Sequence, residues 1–197
     1  RFPMLYLAFY FASLLLETMR ELTQNKLLET QALYRYLYAH DALTDVFNRY
    51  GFNELMDRYF QEHRENLTLI ILDIDFFKRI NDEYGHIQGD LVLQNVARRI
   101  QEGAGAQANV CRWGGEEFAV LIPACEDAKA VAEALHASIQ SCEIPIDSCC
   151  VKITVSVGAA LAKTTDGCTA AQLVSLADAC LYRAKQNGRD RVEFAEL

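Results

Sequence analysis

Apolar residues dominate the first part of the chain and recur at helical spacing. Residues 2–16 (FPMLYLAFYFASLLL) carry no charge, and residues 17–40 contain neither Pro nor Gly. Apolar positions three or four residues apart predict one continuous helix over residues 17–40. Lys26 and Glu29 interrupt the apolar stripe. The stripe is formed by Leu15, Met19, Leu22, Leu33 and Leu37.

The beginning of the chain suggests a piece excised from a longer protein, because the first residue is Arg1 and not Met. A helix of residues 2–16 would be about 22 Å long, short of the roughly 30 Å hydrocarbon core of a bilayer. Two interpretations stay open: the cytosolic end of a truncated transmembrane helix, or a soluble helix that packs on a partner or sensor domain. Residues 17–40 are either a solvated connector or a parallel dimer stalk, since clean heptads are few.

A segment dense in turn and capping residues, 41–51 (DALTDVFNRYG), separates this helix from the rest of the chain. We therefore divide the chain into two parts. Residues 1–40 are the end of a transmembrane or sensor-linked helix together with a dimerising stalk, and residues 41–197 are a globular domain.

The pattern after residue 51 mixes helical and strand spacing. Residues 67–73 (LTLIILD) form a continuous apolar run of strand length, and Gly114-Gly115 joins two short β-type runs as a hairpin. The predicted elements are a helix at 52–64, a strand at 67–73, a helix at 76–101 with a break at 84–89, strands at 109–113 and 117–122, a helix at 127–140, a strand at 151–160, a helix at 170–186 and a strand at 191–194. This β-α-β-β-α-β order predicts an α+β fold with a split βαβ sheet, and we expect the helices on one face.

Composition limits the possible functions. The 197 residues include 19 Lys and Arg against 27 Asp and Glu, a net charge of −8, and 51% are hydrophobic. The apolar share suffices for a buried core, while the acidic balance argues against a nucleic-acid binder, which neutralises phosphates with clustered cations. Seven Cys without a C-x-x-C pair favour reduced, buried thiols, with Cys149 and Cys150 filling the core in or beside a strand.

Four acidic residues stand at the ends of predicted strands. Asp73 and Asp75 follow the first buried strand, and Glu116 and Glu117 follow the two glycines of the hairpin. Carboxylates in such positions are typical ligands of hard divalent cations such as Mg²⁺. Taken singly, Asp75 could instead cap the following helix, and the Gly-Gly-Glu-Glu string could be an ordinary exposed turn. Taken together, the four acids require either a metal ion or raised pKa values.

Several motifs together resemble the GGDEF-domain diguanylate cyclases in their GGEEF form. They are residues 112–118 (RWGGEEF), 73–82 (DIDFFKRIND), 85–90 (GHIQGD), 181–185 (LYRAK) with Gly188 and Arg189, and 41–44 (DALT) with Asn48 and Arg49. The resemblance covers residues 41–194, and so many fixed spacings are specific where a single GGEEF string would not be. It implies a palm or nucleotidyl-cyclase type of sheet and a catalytic domain at residues 41–197, preceded by a signalling helix.

The resemblance also implies a metal site and the groups that act on phosphate. Asp73, the Ile74 carbonyl, Glu116 and Glu117 would hold Mg²⁺, two ions per site, with Mn²⁺ able to replace it. A divalent pair would clamp the triphosphate and lower the pKa of the attacking ribose 3′-hydroxyl. Glu116 is the family's proposed proton acceptor, although a metal-bound carboxylate is a poor base, and Glu117 is the second catalytic acid. Lys78 would stabilise charge on the phosphates.

Further contacts with the nucleotide are implied at other positions. Lys185 and Arg189, spaced i,i+4 near a helix C-terminus, match phosphate contacts, although complementation of the helix dipole is the alternative. The other substrate-binding positions of the family match Phe77, Asn81, His86, Asp90, Gly114 and Gly115.

Base selection falls to Asn81 and Asp90 in the family pattern. Guanine presents N–H donors to a carboxylate and an acceptor edge to an amide, so this pair suits guanine and is poor for adenine. Asp90 could otherwise be an N-cap before Leu91, and His86 a loop residue that packs locally. A subgroup that makes mixed cyclic dinucleotides is said to carry Ser at the Asp90 position, so the Asp found here favours two GTP.

Two departures from the family pattern concern inhibition. The family's product-inhibition motif is Arg-x-x-Asp, but residues 105–108 read GAQA, so we expect no feedback inhibition through that site. Tyr50 stands where the upstream motif often has a second Arg, which puts a secondary inhibitory contact in doubt.

The activity implied is that of a diguanylate cyclase, which condenses two GTP into cyclic di-GMP and releases two pyrophosphates in bacterial second-messenger signalling. A homodimer is implied because each subunit holds one GTP. The resemblance further implies an upstream sensor domain and a cytoplasmic catalytic domain. The uncharged, apolar residues 2–16 favour attachment of the full-length protein to the inner membrane. The alternative is a catalytically silent GGDEF domain that acts as a GTP or cyclic di-GMP receptor or a dimerisation module; silent members usually lose a signature residue, and none is lost here. A cyclase with a different product is a third possibility.

Overall fold

The structure, a computed structural model, describes residues 2–62, 66–125, 127–146, 149–163 and 167–197. The chain divides into two compact units, residues 1–38 and residues 39–197.

The first unit is one long helix, α1 (Phe2–Ala39). The continuous helix predicted for residues 17–40 is confirmed, and it also includes the uncharged residues before Glu17. The hydroxyls of Thr18, Thr23 and Thr30 donate to carbonyls three or four residues earlier, so these polar side chains leave the helix intact. The side chains of the predicted apolar stripe are exposed. Among the helices of the described residues, none combines the length and apolar character that a transmembrane span requires.

The second unit contains five helices and eight strands in the part of the chain that the structure describes. The helices are α2 (Arg49–Gln61), α3 (Phe77–Tyr84), α4 (His86–Ala104), α5 (Ala128–Gln140) and α6 (Ala170–Gln186). The strands are β1 (Phe47–Asn48), β2 (Leu67–Ile74), β3 (Asn109–Gly114), β4 (Glu117–Pro123), β5 (Glu143–Ile146), β6 (Cys149–Lys152), β7 (Val155–Ala162) and β8 (Arg191–Glu196).

Six strands form the main sheet in the order β1-β3-β4-β2-β7-β8. The central strand β2 is antiparallel to both β4 and β7, whereas β8 is parallel to β7 and β1 is parallel to β3. The predicted split β-α-β-β-α-β arrangement is thereby confirmed, with the short strand β1 added at one edge.

Helices cover both faces of this sheet, so the expectation of helices on one face is wrong. Ile70 and Leu72 of β2 belong to a core shared with α4 and α5, whereas Leu69 and Ile71 belong to a core shared with α2 and α6. A strand that is apolar at every position has two faces to bury. The continuous apolar run of residues 67–73 therefore requires a helical layer on each side.

The single strand predicted at residues 151–160 is two strands. β6 pairs with β5 in a separate two-stranded sheet, and β7 joins the main sheet. β5 was not predicted. Cys150 lies in β6 and is exposed, so its predicted place in the core is wrong, and its thiol is free. The side chain of Cys149, for which the same place was predicted, lies outside the part that the structure describes.

Two helix boundaries follow from local chemistry. The predicted break in the helix at 76–101 is confirmed, and Gly85, which separates α3 from α4, has a φ of 85° that suits glycine. α2 begins before the predicted Phe52 because the Asn48 side chain accepts a hydrogen bond from the Gly51 N–H as N-cap. Its predicted end at Arg64 lies outside the described residues.

Candidate active site

An acidic edge forms where β2 and the β3–β4 hairpin end together. Asp73 of β2 lies directly opposite Glu117 of β4 in the antiparallel register. The Ile74 N–H donates to the carbonyl of Glu116 at 3.4 Å, which brings the hairpin turn against the end of β2. The sheet thus brings together Asp73, Ile74, Glu116 and Glu117, the four predicted metal ligands.

The carboxylates of this edge are held in an unfavourable environment for negative charge. Burial raises the pKa of Asp73, and the charges of Glu116 and Asp75 raise it further, against the opposing effect of Lys185. Burial also raises the pKa of Glu117, as does the neighbouring Asp73 charge. The Lys185 ammonium lies 2.7 Å from Asp73 Oδ2 and offsets part of this charge. A cation is therefore favoured at this edge.

The donor set fits a hard divalent cation, since it consists of carboxylate and carbonyl oxygens. Glycine at position 114 leaves space for the Glu117 carboxylate, because a Cβ there would lie 3.2 Å from Glu117 Oε2. Within the described ranges, no three side chains of His, Cys, Asp or Glu form a ready-made metal cluster. The side chains themselves thus supply a partial site that the Ile74 carbonyl would complete.

A cavity of about 550 Å³ opens beside this edge, between the hairpin turn and the helices α3 and α4. Its walls contain most of the predicted substrate-binding residues. The lining comprises Phe77, Lys78, Asn81, Asp82, His86, Asp90, Leu93, Arg112, Gly115 and Glu116. Glu116 therefore links the cavity to the acidic edge.

The two base-selecting residues are placed by a close helix contact. Asn81 is on α3 and Asp90 on α4, and a Cβ on Gly89 would overlap the Asn81 side chain. Only glycine at this position lets α4 approach Asn81 so closely. Asp90 lies inside α4, whose N-cap is Gly85, so the alternative of an N-cap role for Asp90 is wrong. His86, the first residue of α4, is exposed and faces the cavity.

The two predicted phosphate contacts on the C-terminal side occupy different structural positions. Lys185 lies in the last turn of α6, beside Asp73. Arg189 lies beyond the end of that helix, in left-handed backbone with a φ of 63°, so the interpretation of an i,i+4 pair on one helix is wrong. Its guanidinium carbon is 4.7 Å from the centre of the Phe76 ring. Neither cation lines the cavity between α3 and α4.

Asp75 does not cap the helix that follows it. The N-cap of α3 is Phe76, with a φ of 57° and no side-chain capping bond. The buried Asp75 carboxylate instead accepts hydrogen bonds from the Thr154 and Ser156 hydroxyls and from the Asp190 N–H. Asp75 thus turns away from the acidic edge and binds β7 and the loop before β8.

Sequence reasoning assigned no role to two residues near the site. Arg112 lines the cavity and donates to the carbonyl of Gly115 in the hairpin turn. Asp178 on α6 is close enough to raise the pKa of Glu117, and burial raises its own pKa. Its spacing of seven residues from Lys185 places both on one helix face, and this was the signal available in the sequence.

Comparison with known proteins identifies the family of the chain. The family model described as diguanylate cyclase, GGDEF domain, matches residues 38–191. Diguanylate cyclase A of Treponema denticola is 38% identical over 164 residues, which cover 79% of this chain and 44% of that protein. Diguanylate cyclase DgcM of Escherichia coli is 35% identical over 188 residues, which cover 93% of this chain and 44% of that protein. The chain thus spans less than half the length of these two relatives.

Solved structures show the same fold. The coiled coil and GGDEF domain of DgcB from Caulobacter crescentus, in complex with c-di-GMP, gives a TM-score of 0.81 at 34% identity, covering 92% of this chain and 97% of that one. Diguanylate cyclase SiaD from Pseudomonas aeruginosa, in complex with its activator SiaC, gives a TM-score of 0.76 at 32% identity. The match covers 91% of this chain and 72% of that one. Diguanylate cyclases with this domain use divalent metal ions. The chain belongs to the GGDEF-domain family of diguanylate cyclases.

Proposed function

We propose that this chain is the catalytic part of a diguanylate cyclase, which condenses two GTP into cyclic di-GMP and releases two pyrophosphates. One observation carries the proposal: the cavity lined by Asn81 and Asp90 adjoins, through Glu116, the acidic edge of Asp73 and Glu117. A cavity that could hold a base and an edge that could hold a cation thus share one residue.

Guanine is the base that the cavity suits. The exposed Asp90 carboxylate accepts from the N1–H and N2–H₂ of guanine, and the Asn81 amide donates to its O6 and N7 edge. Phe77 and His86 complete the walls around the base. Adenine lacks the donors that Asp90 requires, so we propose GTP as the substrate.

The proposed cofactor is Mg²⁺, with two ions per site and Mn²⁺ as a substitute. Asp73, the Ile74 carbonyl, Glu116 and Glu117 would hold it. When bound, it would neutralise the triphosphate and lower the pKa of the ribose 3′-hydroxyl.

The chain's own residues bind and orient the phosphates. Lys78 at the start of α3 faces the cavity, and Lys185 and Arg189 supply further cations near the end of β2. Gly114 and Gly115 allow the hairpin backbone to approach the nucleotide, because neither presents a Cβ. Glu116 either accepts the proton of the 3′-hydroxyl or acts only as a ligand, and we favour the ligand role.

Ring closure requires two subunits, because each site holds one GTP and must present its 3′-hydroxyl to the partner's α-phosphate. We propose that α1 pairs in a homodimer through the exposed stripe that includes Met19, Leu22 and Leu33. A sensor upstream of the chain would then change how often the two sites meet. Attachment of the full-length protein to the inner membrane, with the catalytic domain in the cytoplasm, stays a prediction.

Product analysis by mass spectrometry tests the activity. The purified chain, with Mg²⁺ and GTP, should yield cyclic di-GMP and pyrophosphate, and GTP mixed with ATP should yield the same cyclic product. Glu116→Gln should abolish product formation, whereas Glu102→Gln, an exposed change on α4, should leave it unchanged. A dimeric wild type that makes no cyclic di-GMP would refute the proposed enzyme.

A further inference from the structure

The two aspartates at the end of β2 each engage one of the two cations at the end of α6 and beyond it. Asp73 binds the Lys185 ammonium at 2.7 Å. Asp75 binds the loop that carries Arg189, and its Oδ1 lies 3.9 Å from Arg189 Nε. The first pair belongs to the acidic edge. In the second pair, Arg189 is a proposed phosphate contact, whereas the Asp75 carboxylate has no part in the proposed reaction.

The Asp75 carboxylate is fully buried and saturated with donors. Its Oδ1 accepts from the Ser156 hydroxyl at 2.7 Å, and its Oδ2 accepts from the Thr154 hydroxyl at 2.8 Å and from the Asp190 N–H at 3.1 Å. A buried carboxylate with this many donors is fixed in one orientation. Asp75 can therefore serve as a rigid anchor for the loop.

The anchored loop has strained backbone. Gly188, Arg189 and Asp190 have φ values of 109°, 63° and 46°, and left-handed backbone is unfavourable for the two residues that are not glycine. The Asp190 side chain is bound in turn by α5, through His136 Nε2 and Gln140 Nε2, each at 2.9 Å. The loop is thus held at Asp190 from two sides, directly after Arg189.

Phe76 constrains the other end of the Arg189 side chain. The Phe76 ring is 55% exposed, although most phenylalanine side chains are buried. The Arg189 guanidinium carbon lies 4.7 Å from the centre of this ring. Phe76 itself adopts left-handed backbone, which is an outlier for a bulky residue. In this backbone conformation, the exposed Phe76 ring lies against the Arg189 guanidinium.

We propose that Asp75 and Phe76 are positioning residues that preorganise Arg189 to bind the triphosphate. The inference rests on the proposed function, in which Arg189 contacts phosphate. Asp75 fixes the backbone at Arg189 and balances its charge, and Phe76 fixes the plane of its guanidinium. A free arginine side chain would lose its rotamer freedom when the nucleotide binds, and this pair removes part of that cost beforehand.

A double-mutant cycle on GTP affinity tests the inference. Isothermal titration of the full chain with Mg²⁺ and 3′-deoxy-GTP, which lacks the reacting hydroxyl, would compare the wild type, Asp75→Asn, Arg189→Ala and the double variant. Each single change should weaken GTP binding by about tenfold, the size expected for a lost charge-assisted contact. The double variant should bind no more weakly than Arg189→Ala alone, because Asp75 acts only through Arg189.

Two further variants separate positioning from stability. Ile100→Val removes a buried methyl group from the core and none of the contacts of Asp75, Phe76 or Arg189, so it should lower the melting temperature and leave GTP affinity within about twofold. Phe76→Asn removes the ring and suits left-handed backbone better, so it should keep or raise the melting temperature and still weaken GTP binding severalfold. This variant tests the inference even if Asp75→Asn does not fold.

The results distinguish failure of the inference from failure of the proposed activity. The positioning role would be overturned if Asp75→Asn lowered GTP affinity equally with and without the Arg189 side chain. It would also be overturned if Phe76→Asn left GTP affinity unchanged. A wild type that binds GTP and shows the coupling but makes no cyclic di-GMP would refute the activity and support the positioning. A wild type that binds no GTP would overturn both.

Discussion

The guanidinium of Arg112 connects the carboxylate of Asp41 to the backbone carbonyl of Gly115. Arg112 lies 3.2 and 3.3 Å from the two Asp41 oxygens, and two of its nitrogens donate to the Gly115 carbonyl at 2.9 and 3.1 Å. Asp41 stands near the beginning of the second unit, and Gly115 precedes Glu116 in the hairpin turn. One side chain therefore fixes the turn that carries a proposed metal ligand.

We expect Arg112→Lys to loosen this turn. A lysine ammonium cannot reach both partners with the fork of donors that arginine provides. The cyclase turnover number should fall by about tenfold or more, since small displacements at a reacting site are costly, and the free energy of unfolding should fall by about 1 to 2 kcal/mol. Turnover and urea unfolding measure the two effects. Arg98→Lys, in an exposed pair with Glu102, is the control and should change neither.

The Asp41 carboxylate gives the fold a specific pH dependence. Burial raises the pKa of Asp41, but the hydrogen bonds from Thr44 and the charge and hydrogen bond of Arg112 together lower it below its usual 3.8. The stability that Asp41 contributes is therefore present above pH 3.8 and is lost as the pH falls through the lower folded-state value. Asp41→Asn should cost about 1 to 2 kcal/mol at pH 7 and progressively less below pH 3.8. Urea unfolding of the wild type and Asp41→Asn from pH 7 to below pH 3.8 measures this. A difference in free energy of unfolding that stayed constant with pH would contradict the prediction.

Local patterns in the sequence predicted most elements but not the partners of each strand. The apolar run of β2 and the Gly114-Gly115 hairpin were read correctly because their signals lie within a few residues. The sequence does not predict the division between β6 and β7, because the β-branched side chains of residues 151–157 continue across it. Only the pairing of the first half with β5, and of the second half with the distant β2, assigns the two halves to different sheets.

The candidate site shows the same division between local and distant information. The resemblance assigns Asn81 and Asp90 to the base and Glu116 to the metal, and the structure brings all three to one cavity. The role of Asp75 was misread, because its donors Thr154 and Ser156 lie about 80 positions away and no local rule connects them. Sequence spacing predicts neighbours on one element, whereas a buried carboxylate is satisfied by whichever donors the tertiary fold brings to it.

Removal of one charge from the acidic edge should stabilise the metal-free protein. Glu117 faces Asp73 across the β2–β4 pair, where like charges oppose each other. Without divalent ions, Glu117→Gln should raise the free energy of unfolding by about 0.5 to 1 kcal/mol. Added Mg²⁺ should stabilise the wild type by about 2.7 kcal/mol at 100 times its dissociation constant, and the variant by clearly less. Thermal unfolding in chelator and in Mg²⁺ measures both effects.

The matched control for this edge is Glu133→Gln, which removes an exposed acid paired with Lys129. Its response to Mg²⁺ should equal that of the wild type. Equal stabilisation of Glu117→Gln and wild type by Mg²⁺ would show that Glu117 takes no part in binding the cation.

Gly89→Ala should disturb the base-binding cavity directly. The added methyl group would overlap the Asn81 side chain, which must then move from its position beside Asp90. We expect GTP affinity to fall by about tenfold or more, the effect of losing a hydrogen-bonding group that reads the base. Isothermal titration with 3′-deoxy-GTP, which cannot react, measures the loss. Gly103→Ala, the same change later in α4, meets only a methyl group of the buried Leu135, so it should leave GTP affinity unchanged.

Cyclic di-GMP should not inhibit the enzyme through the loop after α4. Residues 105–108 stand where the family's Arg-x-x-Asp motif would bind product, and three of them line a cavity of about 290 Å³ with His40, Asp45 and Gln101. The described lining of this cavity contains no Lys or Arg to bind the phosphates of the product. Initial rates should therefore stay unchanged when micromolar cyclic di-GMP is added, until it competes at Asn81 and Asp90. The double change Gly105→Arg and Ala108→Asp should introduce inhibition, at some cost in stability because Gly105 has a φ of 87°. Tight product binding that survives loss of Asn81 and Asp90 and maps to this loop would contradict the prediction.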